Sequence, residues 1–86
     1  MRTAKRKTKS PRTPGAVDQF IGARIREGRL AINMSRADLA DKLGVTFQQV
    51  QKYEKGANRV SAARLFEICE ALDVSLASMF ERKLKA

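Results

Sequence analysis

Apolar positions recur along this chain at helical rather than strand spacing. Ile21, Ile25 and Ile32 fall on one face, which predicts a first helix from about Val17 or Asp18 to Ile32. Asp18 suits its first turn, and Asn33 can take the left-handed conformation that ends a helix. Gly28 lies inside this helix, where glycine costs about 1 kcal/mol against alanine, and no local reason for it is visible. A second helix is expected over about Arg36 to Leu43. Ser35 is its cap, Asp38 stands at the capping-box position, and Gly44 is its stop. Leu39 and Leu43 form its buried stripe, and Ala40 is small enough for close helix approach.

A third helix is expected from about Phe47 to Lys55, capped by Thr46 with Gln49 at the capping-box position, and ended by Gly56. Val50 and Tyr53 are its apolar face. Only Gly44, Val45 and Thr46 join helices two and three, and so short a connection makes neighbouring helices cross steeply. A fourth helix, about Ala62 to Leu72, starts at Ser61 and carries Leu65, Ile68, Cys69 and Leu72 on one face. A fifth is expected after Ser75, with Leu76, Met79 and Phe80 apolar, running into ERKLKA. There is no strand signal and no internal repeat. The expectation is an all-α domain over residues 16–86, with a helix-turn-helix at about 36–55.

Residues 1–15 break the pattern: they lack periodicity, and Pro11 and Pro14 discourage helix. This stretch is expected to be a disordered basic arm. The chain carries a formal net charge of +9, and Arg2, Lys5, Arg6, Lys7, Lys9 and Arg12 supply six of it, leaving +3 for the rest. Such an arm suits a polyanion, lying along phosphates or in a minor groove. It could equally be a solubilising tail or a cloning remnant.

Composition narrows the chemistry. Histidine is absent, which removes the usual general base and the commonest zinc ligand. One cysteine makes neither an internal disulfide nor a cysteine metal site, which fits a reducing cytosol. On an apolar stripe Cys69 is expected to be a small buried hydrophobe, with a redox switch as the alternative. No apolar run approaches a membrane span or a signal-peptide core. No catalytic or metal constellation is visible, so neither an enzyme nor a cofactor is expected.

The face of helix three left over from its apolar stripe holds Phe47, Gln48, Gln51, Lys52 and Lys55. Glutamine can bond bidentately to adenine, lysine can donate to guanine acceptors, and an aromatic ring can touch a thymine methyl. Phe47, Gln48, Gln51 and Lys52 are therefore the candidate base readers. Arg36, Thr46, Lys55, Asn58 and Arg59, at helix ends or in the loop after helix three, are candidate phosphate holders. The bland alternative is an ordinary solvated helix face. Arg29 and Glu54 are each flanked by core positions; they are either an ion pair locking helix one to helix three or two separate surface charges.

Residues 20–80 resemble the phage lambda and 434 repressor and Cro-like helix-turn-helix family. The resemblance is carried by Arg29, MSRADLADKLGV, TFQQVQKYEKG and LFEICEALDVSLASMF, and the run TFQQVQKYEKGANRVSAARLF looks especially like a subgroup of alphaproteobacterial regulators. It implies a five-helix domain binding dyad-symmetric double-stranded DNA as a homodimer. It implies base contacts at Phe47, Gln48 and Lys52, and phosphate contacts at Arg36 and in the loop after Gly56. It also implies the ion pair Arg29–Glu54. Phe47 departs from a common polar reader and Gly28 from a common leucine. No further sensing domain is visible, so ligand control or self-cleavage has no evident seat.

Val74, Leu76, Met79 and Phe80 are the candidate dimer interface, although some of them must close the domain's own core. The leading expectation is a cytoplasmic, nucleoid-associated transcription regulator, in particular a repressor. An antitoxin of a toxin–antitoxin operon is the alternative, and a sequence-neutral DNA coater a third.

Overall fold

The computed structural model describes residues 15–81. Four α-helices, α1 (Ala16–Ala31), α2 (Arg36–Leu43), α3 (Phe47–Lys55) and α4 (Ala62–Leu72), precede a short 3-10 helix, Leu76–Phe80. No strand occurs among the described residues. The bounds of α2, α3 and α4 are those expected from the caps. The expected fifth α-helix is instead a single 3-10 segment, so five α-helices become four. Five residues bounded by Ser75 and the extended Glu81 make little more than one tight turn.

Each helix start is satisfied by a side chain. The Gly15 N–H donates to the Asp18 carboxylate at 2.7 Å. The Asp38 N–H donates to Ser35 Oγ, Gln49 N–H to Thr46 Oγ1 and Arg64 N–H to Ser61 Oγ, each at 3.0 Å. Each α-helix also ends in one way, on a left-handed residue: Asn33, Gly44, Gly56 and Asp73, with φ between 57° and 73°. The following N–H reaches back to an orphan carbonyl: Met34 to Arg29, Val45 to Ala40, Ala57 to Lys52 and Val74 to Cys69. Asp73 takes the left-handed conformation without being glycine or asparagine, so its residue type gives no strong stop signal.

The core is Ile25, Leu39, Ala40, Val50, Tyr53, Leu65, Ile68, Cys69, Leu72 and Met79. Ile21 and Leu43 are partly buried against it. Ile32, expected on the buried face of α1, lies one residue past the helix and is half exposed. Met79 is 2% exposed, so among the four residues expected at a dimer interface it belongs to the core of its own domain.

Two glycines explain how α1 packs. A Cβ on Gly22 would lie 2.4 Å from the Tyr53 carbonyl oxygen and 2.6 Å from that of Glu54, so the backbones of α1 and α3 meet there. On Gly28 a Cβ would meet only Leu72 Cδ1, at 3.2 Å. Two arginines add cross-links: Arg24 donates through Nε and Nη2 to the Ser78 carbonyl, and Arg64 through Nη1 to the Leu43 carbonyl in the last turn of α2.

Candidate nucleic-acid interface

The nine residues of α3 divide between two environments. Val50, Tyr53 and Glu54 are buried. Phe47, Gln48, Lys52 and Lys55 are exposed, and Gln49 and Gln51 are half-buried. Positions 47, 51 and 55 and positions 48 and 52 form two adjacent rows at four-residue spacing, so the outward face is one stripe of ring, amides and ammonium groups. Phe47 is 42% exposed, a large apolar side chain left in water at the start of the helix.

Charge holds the inward side. Arg29 donates to the Glu54 carboxylate through Nε at 2.6 Å and Nη2 at 3.1 Å, and through Nη1 to the Met34 carbonyl at 2.8 Å. Arg29 is 5% exposed and Glu54 7%. A two-pronged pair of this kind fixes the angle at which α3 leaves the core. A third member, invisible to sequence reasoning, is Arg36, whose Nε donates to Glu54 Oε1 at 2.9 Å. Eighteen residues separate the two, and no periodicity links them.

The other candidate phosphate holders lie at the ends of α3. Thr46 is exposed at its start, with Oγ1 accepting the Gln49 N–H. Asn58 is half-buried and Arg59 exposed in the loop after it. Arg59 Nε donates to Asp18 at 3.3 Å, tying that loop to the start of α1. The Gly15 N–H first, and Arg59 after it, hold the Asp18 carboxyl below the usual carboxylate range, against the opposing effect of burial. Arg2, Lys5, Arg6, Lys7, Lys9 and Arg12 lie outside the described residues.

Among the described residues no cluster of three or more acidic, cysteine or histidine side chains could hold a metal. No helix among them is long and apolar enough to cross a membrane. Burial pushes the Cys69 thiol above its ordinary range, which keeps it protonated and unreactive.

The helix-turn-helix family model matches residues 25–78, well over half of the chain. An uncharacterised HTH-type transcriptional regulator of Sinorhizobium fredii is 55% identical over 73 residues, which cover 85% of this chain and 51% of that protein. The cryptic phage CTXphi transcriptional repressor RstR of Vibrio cholerae is 34% identical over 56 residues, 65% of this chain and 50% of that one. The biofilm master regulator SinR, solved in complex with DNA, superposes with a TM-score of 0.65 at 29% identity, over 71% of this chain and 98% of that chain. Alphaproteobacterial proteins dominate the relatives. The chain spans about half the length of the curated relatives it matches. The chain belongs to the helix-turn-helix family of DNA-binding transcription regulators.

Proposed function

We propose that this chain is a sequence-specific repressor that binds a dyad-symmetric operator as a homodimer, with α3 in the major groove. The observation that carries this reading is the division of α3. Its inward side is locked by Val50, Tyr53 and a buried ion pair, while its outward side is a stripe of groups suited to base edges. Phe47, Gln48, Gln51 and Lys52 contact bases, Phe47 through a thymine methyl. Arg36, Thr46, Lys55, Asn58 and Arg59 hold phosphates, which set register without reading sequence. The basic arm adds further phosphate or minor-groove contacts.

One nine-residue helix offers few contacts, so two half-sites about 10 base pairs apart, or a multiple, are required. Val74, Leu76 and Phe80 supply the dimer face, Leu76 and Phe80 being about half exposed. The activity is binding alone, without catalysis or cofactor, on the nucleoid in the cytoplasm. The test is selection of sites from random duplex DNA by the purified protein at physiological salt. A two-fold symmetric motif supports the reading. Binding without enrichment overturns it in favour of a sequence-neutral coater.

A further inference from the structure

Arg36 is the first residue of α2, the position where a cation opposes the helix dipole. Its local compensation comes from another helix. Glu54 Oε1 accepts both Arg36 Nε at 2.9 Å and Arg29 Nη2 at 3.1 Å, while Oε2 accepts Arg29 Nε. Two guanidinium groups therefore share one carboxylate, and the cluster keeps one positive charge.

The two arginines differ in what they have left to offer. Arg29 uses Nε and Nη2 on Glu54 and Nη1 on the Met34 carbonyl, and its side chain is 6% exposed. It has no reach into solvent. Arg36 is held by Nε, and its side chain is 32% exposed. Its Nη1 and Nη2 remain for a partner outside the fold. Close by are the N–H groups of the first turn of α2, which favour an anion.

We propose that Glu54 is a positioning residue for DNA binding: it grips Arg36 by Nε and so presents the two Nη nitrogens to a backbone phosphate. This rests on the operator-binding reading above. A guanidinium can serve both neighbours at once, because its donors fan out in a plane. An ammonium is a single point and must choose between carboxylate and phosphate. The difference between arginine and lysine here is thus a matter of geometry at equal charge.

The experiment compares wild type, Arg36→Ala and Arg36→Lys on the selected duplex over a range of salt, with thermal melting as a check on folding. Arg36→Ala is expected to lose roughly tenfold in affinity and to lower the salt slope by about 1. Arg36→Lys, although it keeps the charge, is expected to lose nearly as much. Lysine binding within about twofold of wild type would make Arg36 a free point charge and overturn the proposal, as would an alanine variant that binds normally. Either result would leave the effect of Gln48 on sequence discrimination intact, whereas failure of the operator reading itself would appear as no selected motif with wild type.

Discussion

Gly22 carries no side chain because the backbone of α3 occupies the space one would fill. Alanine there would press a methyl group against two carbonyl oxygens of α3, the helix that carries the outward stripe. Overpacking of this kind costs about 1–3 kcal/mol, and Gly22→Ala is expected to lower Tm by roughly 5–20 °C. A thermal melt beside Gly28→Ala checks this, since Gly28 faces only the movable tip of Leu72 and alanine there is expected to hold or raise Tm. Asp18 gives a pH signature. Its folded pKa is depressed, so its contribution is fully present above the unfolded value of about 3.9 and is lost as pH falls through the lower folded value. Asp18→Asn is therefore expected to lower Tm at neutral pH, and its difference from wild type to shrink as pH falls below the unfolded value and through the lower folded one. Equal melting curves at pH 7 would show that the bonds to Gly15 and Arg59 contribute nothing.

At the scale of the element, what is local was legible and what is tertiary was not. Ser35, Thr46, Ser61, Gly44 and Gly56 set helix ends by chemistry within a few residues of themselves, so the bounds of α2, α3 and α4 followed from the residue types. The apolar stripes also translated into core, because helical periodicity survives packing. Gly22 escaped notice because its reason lies thirty residues away in the backbone of α3. The Arg36–Glu54 bond escaped for the same cause. The last helix failed differently: Leu76, Met79 and Phe80 fit one face of either an α-helix or a 3-10 helix, and spacing over five residues cannot separate them. The outward stripe of α3 carries this scale's prediction. Gln48→Ala is expected to lose about 1–3 kcal/mol of discrimination at one base position of each half-site while leaving Tm unchanged, because the side chain is exposed. Binding to matched and mismatched duplexes measures the loss, and equal losses on both would remove Gln48 from the readers.

For the whole molecule, charge and apolar surface lead to separate predictions. Residues 1–14 hold six of the nine net positive charges, so on the operator-binding reading their deletion is expected to weaken binding to all sequences alike and flatten the salt slope. An unchanged slope would show that the arm touches no phosphate. On the domain itself, Phe80 is 53% exposed and shares a small cavity of about 200 Å³ with Ala16, Val17 and Phe20. On the proposed homodimer reading, Phe80→Asp is expected to shift the protein to monomer in analytical ultracentrifugation while the domain still melts cooperatively. A dimer that survives the substitution would move the interface elsewhere.

The division of α3 has a further consequence for how such proteins diversify. Phe47, Gln48, Gln51, Lys52 and Lys55 face outward, and among the described residues none belongs to the core cluster or to an ion pair. Val50, Tyr53 and Glu54, which hold the helix, alternate with them along the same nine residues. On the operator-binding reading, one set decides which sequence is bound and the other whether the helix is held. A duplicated copy of the gene could drift to a new operator through a handful of outward codons without crossing an unfolded intermediate, and the old and new copies would then ignore each other's sites.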